Sequence, residues 1–351
     1  MTWVGLSDHK SHALGGLPTI GGILERGTLM LETRVAPQAK PQPIVGLELR
    51  GTRDCSLSLQ AMPGGGIHFL LRQDTQILHA ALAHDAEDQA DILRISYAWD
   101  LSKSTGHLVI ERPGTHKVFR REFTNPLPLS ADCIKHLITP SGRRLMCEDV
   151  VYVAVSDQVE PIGPMPALCP TTPIQTPYGL KPAGKLKRGD LVVTLNGDTV
   201  PVLHTLRHTV PARGSFEPVR LRAPYFGLQQ DIVVTQEARL VVGGTQVEYL
   251  FGSESVLVPV KHLTTGGSAR IEEGHKLVSY VQLLLPDHEP ILAGGTAIES
   301  LSIGRIRRKR DLIPATLLSQ FDPLTIPEHS KTAFPVLKHF EAVTLAHHRA
   351  A

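Results

Sequence analysis

The chain has 351 residues, 42% of them hydrophobic and 20% charged, with a formal net charge of +2. That length exceeds what one hydrophobic core usually serves, so two domains are expected. The near-neutral charge gives no electrostatic reason for a nucleic-acid partner, and no run of about 18 apolar residues offers a membrane span.

The N-terminal "MTWVGLSDHKSHALGGLPTIGG" lacks a basic head followed by a sustained apolar run. No secretory signal peptide is read there, so a cytoplasmic location or export by a non-classical route is expected. Residues 28–145 then read as β-structure. "TLMLETRV" places Leu29, Leu31, Thr33 and Val35 on one face, and "IVGLELRG" does the same with Val45, Leu47 and Leu49. "GIHFLLR" offers Ile67, Phe69 and Leu71; "ILRISYAWD" offers Leu93, Ile95, Tyr97 and Trp99; "HLVIERPG" offers Leu108 and Ile110. Period-two runs separated by Gly, Pro and Asp signals argue an antiparallel β-sandwich over residues 1–155. The acidic loop His84–Asp91 lacks the alternate-ligand spacing and the glycine of a calcium loop, so a solvated loop is expected.

"SDQVEPIGPMPALCPTTP" packs five prolines into 18 residues and reads as a boundary, with a linker at 156–166 and a second domain at 167–351. β patterns resume downstream. "DLVVTLNGDTVPVL" places two apolar runs around Asn196-Gly197, which predicts a hairpin with a tight primed turn. Near the C-terminus, "RDLIPATLLSQ" and "VLKHFEAVTLAHH" read as short helices. The basic run Arg305–Arg310 reads as a solvated loop. Cys55, Cys133, Cys147 and Cys169 form no C-x-x-C pair, so nothing points to a zinc site, and reduced thiols are expected. Nothing implies a cofactor.

Two resemblances follow from these pieces. The hairpin "RISYAWDLSKSTGHLVIERPG" and the strand rhythm of residues 25–150 resemble laminin-G or concanavalin-like jelly rolls. Such folds often bind sugars; Tyr97 and Trp99 are the aromatics that would offer a surface, although Trp99 reads more readily as a core residue. From about residue 165 to 345 the chain resembles the Hint (hedgehog/intein) family in its bacterial form. "TPIQTPYGLKPAGKLKRGDLVVTLNGD" resembles the family's opening, and "DIVVTQEARLVV", "SVLVPVKHL", "YVQLLLPDHEPILAGGTAIESL" and "AFPVLKHFEA" follow in the family's order. The resemblance implies a mostly β, horseshoe-like domain with short C-terminal helices.

The chemistry that the resemblance implies is self-directed. The first residue of an active member attacks the carbonyl just before it, turning an amide into an ester or thioester. A Thr-x-x-His element assists, the His protonating the departing amine. The usual opening, Cys-aromatic-x-Pro-Gly-Thr-x-Ile, laid on "ALCPTTPI" puts Pro170, Thr172 and Ile174 in place and leaves Ala167 as the nucleophile position. The rival register makes Cys169 the nucleophile, but two extended residues displace a side chain by about 6.5 Å. Thr235 matches the Thr of the second element, and Ala238 stands at the His. A methyl group neither attacks a carbonyl nor carries a proton. No Asn follows Asn196, so splicing by Asn cyclisation is not expected. His288, in "PDHE", remains as a residual acid or base, or as a histidine fixed by its carboxylate neighbours. Gln282 stands where bacterial members often have His.

Three functions are therefore weighed. The first is a degenerate Hint domain acting as a binding or scaffold module. The second is an autoprocessing domain that uses Cys169, Thr235 and His288, its partner being its own chain. The third is carbohydrate or surface binding by the sandwich. Outside self-processing, the partner would be a protein or a glycan.

Overall fold

Alternating apolar residues in the first half build two antiparallel sheets. The computed structural model describes residues 2–17, 22–36, 40–50, 54–85, 90–264 and 267–350. Part of the acidic loop, residues 86–89, thus lies outside the described residues. The chain divides into two compact units, residues 1–163 and 164–351.

In the first unit a seven-stranded sheet runs in the order Val118–Thr124, Thr105–Glu111, Asp91–Asp100, Arg26–Val35, Val150–Ser156, Trp3–Ser7, His12–Leu14. A five-stranded sheet runs Arg144–Met146, Gln42–Leu49, Cys55–Met62, Gly66–Gln73, Gln76–Ala83. Leu29, Leu31, Val45, Leu47, Ile67, Phe69, Leu71, Leu93, Ile95, Leu108 and Ile110 share one core, as their alternation predicts. Tyr97 and Trp99 belong to that core too. They are 1% and 0% exposed, their rings stack 5.5 Å apart, and each donates to a backbone carbonyl. These two aromatics therefore supply no sugar-stacking surface.

Two features depart from the sequence reading. The strand Arg26–Val35 is buried on both faces, since Thr28, Met30 and Glu32 are also covered. The segment following Ser156 is tied to this second face. Thr28 Oγ1 donates to Gln158 O and accepts from Glu160 N, and Gly163 N donates to Glu111 Oε1. Residues 131–138, read as β, form the α-helix Ala131–Ile138. Ser130 Oγ caps it by accepting from Cys133 N, and Cys133, Ile134, Leu137 and Ile138 face the core at helical spacing.

Gly27 marks the tightest backbone approach in this sheet. A methyl group there would sit 2.5 Å from Trp99 Cζ2 and 2.8 Å from Ser156 O. Gly27→Ala is expected to cost about 1–3 kcal/mol through overpacking, read as a lower thermal midpoint. An unchanged midpoint would show that Trp99 moves aside freely.

The second unit has a six-stranded sheet in the order Gly179–Pro182, Pro173–Thr176, Pro290–Ala293, Thr296–Glu299, Arg239–Gly243, Ser255–Pro259. A long pair, His204–Pro211 with Leu277–Leu284, and a three-stranded sheet, Ile232–Thr235, Pro218–Leu221, Ala269–Ile271, complete its frame with the Leu191–Val193/Thr199–Pro201 hairpin. Leu168, Ile174, Val234, Leu240, Val281, Leu283, Ile291 and Ile298 lie in its core.

The Asn196-Gly197 hairpin forms, but not with a primed turn. Gly197 N donates to Thr194 O at 3.1 Å, Thr194 N donates to Asp198 O at 2.9 Å, and of the pair only Gly197 takes positive φ, at 86°. This is a three-residue loop whose glycine forms the bulge. At the C-terminus the helix His339–Ala350 forms, seating Ala342 and Leu345 in the core. "RDLIPATLLSQ" gives only the 3-10 turn Ile313–Ala315, with Pro314 in its first turn. The basic run holds another short 3-10 turn, Ile306–Arg308, anchored by buried Ile306.

Candidate functional site

Residues 167–169 enter the second unit as extended chain between two strands. Leu168 is fully buried and exchanges hydrogen bonds with Val281 in both directions, at 3.0 and 2.7 Å. Its neighbours bond the other way. Thr235 N donates to Ala167 O at 2.8 Å, and Cys169 N donates to Val233 O at 3.0 Å. Leu168 thus lies in the core, while Ala167 and Cys169 are half-buried, Ala167 packing against the edge of the same core.

Ala167 is held at both ends of its backbone. Its N–H donates to Gln282 Oε1 at 3.3 Å, while its carbonyl takes the Thr235 bond. Thr235 ends the strand Ile232–Thr235, and a tight turn, Ala238 N to Thr235 O at 3.2 Å, brings Ala238 directly behind it. Thr235 and Ala238 are 3% and 4% exposed. The three positions singled out by the sequence (167, 235 and 238) therefore come together through backbone geometry.

Gln282 extends this group into the six-stranded sheet. Its Nε2 donates to Glu299 O at 2.8 Å. The Glu299 carboxylate accepts from Arg239 at 3.0 and 3.3 Å, and His288 Nε2 stands 3.1 Å from Glu299 Oε1. That contact is an ion-pair approach rather than an aligned hydrogen bond, since neither ring nitrogen of His288 has a hydrogen-bond partner among the described residues. His288 is thus engaged by Glu299 across the sheet, in place of Asp287 or Glu289 beside it in the turn. His329 lies against it, ring centroids 5.6 Å apart, with its Nε2 3.2 Å from Leu285 O.

Burial pushes the Glu299 carboxyl up, but the contacts with His288 and Arg239 outweigh it, leaving the group below its ordinary value. Burial also lowers the His329 pKa, partly offset by its bond to Leu285 O. The arrangement sets the Glu299–Arg239 ion pair, with His288 beside it, behind Gln282.

Cys169 has different surroundings. Burial, then the charge of Glu272, pushes its thiol up to about 11, with Arg220 acting in the opposite sense. Among the described residues no hydrogen bond or ion pair joins Cys169 to Thr235 or His288. Glu272 is paired with Arg220 through a hydrogen bond of 2.6 Å from Nε. Glu299, Arg239 and His329 were not among the residues singled out in the sequence. For Arg239, the adjacent Thr235 motif was the available signal.

Residues 166–305 match the Hint domain family. Among solved structures, a bacterial intein-like domain from Clostridium thermocellum is 17% identical, covering 39% of this chain and 99% of its own, with a TM-score of 0.27. The MchDnaB-1 intein is 20% identical, covering 38% of this chain and 99% of its own, with a TM-score of 0.23. The Ruminococcus gnavus IT-sialidase CBM40 is 12% identical, covering 45% of this chain and 91% of its own, with a TM-score of 0.25. No curated protein matches the chain.

Proposed function

Taking as premise that residues 166–305 form a Hint domain, we propose that it keeps the family's frame without cutting its own chain, and serves as a binding or scaffold module. One observation carries this reading. The residue whose amide is held by Gln282 and whose carbonyl is held by Thr235 is an alanine, and Ala238 closes the turn behind Thr235. The acyl shift needs a nucleophile within about 3–3.5 Å of the carbonyl and a proton donor for the leaving amine. Neither methyl group supplies them. A nucleophile and general acid that work as a unit lose most of their effect when either is missing.

Autoprocessing by Cys169 is the competing reading, because it is the one thiol near the domain start. Its raised pKa, about 11, counts against it. At pH 7 roughly one thiol in ten thousand would be ionised, and the thiolate is the nucleophile.

The test is mass spectrometry of the purified full chain, aged and then treated with dithiothreitol or hydroxylamine. A single intact mass is expected. A fragment ending at Pro166 would overturn the degenerate reading. A fragment ending at Leu168 that disappears in Cys169→Ala would establish autoprocessing in its place.

A further inference from the structure

The C-terminal helix begins beside a turn that is distant in sequence. Val260–His262 is a 3-10 turn following the strand Ser255–Pro259, and His339 opens the helix His339–Ala350. His339 Nδ1 lies 3.2 Å from His262 Nδ1, with ring centroids 5.1 Å apart and planes tilted by 55°. In a tetrahedral zinc site, Zn–N bonds of 2.0–2.1 Å set neighbouring nitrogens about 3.3 Å apart. The two imidazoles thus already stand at the separation one cation requires.

We propose that His262 and His339 form a two-histidine site for Zn²⁺ or a similar imidazole-binding transition metal, stapling the C-terminal helix to the domain core. The site has two protein donors and water in the remaining positions, since no cluster of three His, Cys, Asp or Glu side chains suited to a metal occurs among the described residues. It is therefore open and of modest affinity, unlike a closed four-ligand structural site.

The local chemistry suits this role. Metal ligation uses the lone pair of a neutral imidazole nitrogen. Lys261, the cation next to His262 in the chain, is engaged by Glu237 at 3.0 and 3.2 Å. The hydrogen bond between the facing Nδ1 atoms places one proton between them. On metal binding it moves to the Nε2 of the same ring, freeing both Nδ1 lone pairs with no net proton released and no change of oxidation state.

The mechanical consequence follows from how the helix is held. The chain before it pairs with Leu257, which donates to Pro335 O at 2.8 Å and accepts from Leu337 N at 2.9 Å. Ala342 and Leu345 anchor the helix in the core. A metal bridging residues 77 apart in sequence adds a second tie at the helix's first turn.

Hydrogen exchange on the full chain, free of affinity histidines and stripped with a chelator, tests this. Zinc is expected to slow amide exchange across residues 260–262 and 339–345, and magnesium to have no such effect, because it prefers oxygen ligands. His262→Gln and His339→Gln should each weaken the zinc response at least tenfold, the low end of about 10–100-fold that losing even an outer-shell partner costs. The half-buried and exposed settings of these residues leave folding intact, which matched thermal midpoints without metal would verify. If zinc leaves those amides unchanged, the pair is a hydrogen bond only and the proposal fails. It fails equally if both variants keep the wild-type zinc response, since the metal then sits elsewhere.

Discussion

Ala167→Cys combined with Ala238→His is expected to turn an intact chain into two fragments parted after Pro166. The backbone is already arranged for it. The amide that would break ends at Ala167 N, held 3.3 Å from Gln282 Oε1, and the Ala167 carbonyl is fixed by Thr235 N at 2.8 Å. A thiol introduced at 167 lies next to the carbonyl of residue 166, and an imidazole at 238 follows Thr235 at the spacing the family uses. The imidazole takes the thiol's proton as the sulfur attacks that carbonyl carbon, and gives it to the nitrogen as the C–N bond breaks, leaving a thioester and a free amine. Dithiothreitol then exchanges with the thioester and releases the N-terminal fragment. Each single variant should stay whole, since nucleophile and acid act as a unit. The cost is local: position 238 is 4% exposed, so an imidazole there brings about 1–3 kcal/mol of overpacking. Carrying both changes in a Cys169→Ala background removes the only other thiol near the junction. Intact-mass measurement over time reads the outcome. A folded double variant that stays whole under dithiothreitol would mean that more than two side chains separate this frame from an active one.

What the sequence made legible here divides along one physical line. Local periodicity finds strands, because burial of one face repeats every second residue, as with Ile67, Phe69 and Leu71. It misses the second buried face of Arg26–Val35, because cover supplied by residues 157–163 leaves no trace in the strand's own alternation. The helix Ala131–Ile138 carried its signal in Ser130 and the spacing of Cys133, Ile134 and Leu137, but it lay inside a long run of strands. At the site, positions 167, 235 and 238 were readable because each sits in a motif with ordered flanks. Glu299 was not. Its partners come from sequence distances of 17 for Gln282 and 60 for Arg239, and only strand pairing brings them together. The same holds for His262 and His339. Charge pairs made by tertiary register have no spacing rule, so a sequence shows each residue as an ordinary surface polar group.

Glu299→Ala is the substitution expected to cost the second unit most, about 3–5 kcal/mol, the price of breaking one buried ion pair from a single side. Glu299 and Arg239 are 11% and 13% exposed in their side chains, and His288 only 2%. Removing the carboxylate takes the Glu299 contacts from a guanidinium that water reaches poorly and leaves His288 with no other contact to a carboxylate among the described residues. Glu299→Gln keeps the shape and one acceptor, so it should cost less, and the difference between the two variants isolates the charge. The pH dependence has a definite sign. Folding lowers the Glu299 pKa below its ordinary value of 4.5. Its stabilisation is therefore complete above about pH 4.5 and is lost as pH falls through the lower folded value, where the native carboxylate must take up a proton. Urea unfolding at a series of pH values should show wild-type stability falling below that point more steeply than in Glu299→Gln. If Glu299→Ala unfolds within about 0.5 kcal/mol of wild type, as an ordinary surface change would, the charge set is not holding the sheet. The link to the junction can be read by hydrogen exchange: Gln282 is fixed by Glu299 O, so a sheet that loosens at Glu299 should speed exchange of the Ala167 amide, which donates to Gln282 Oε1.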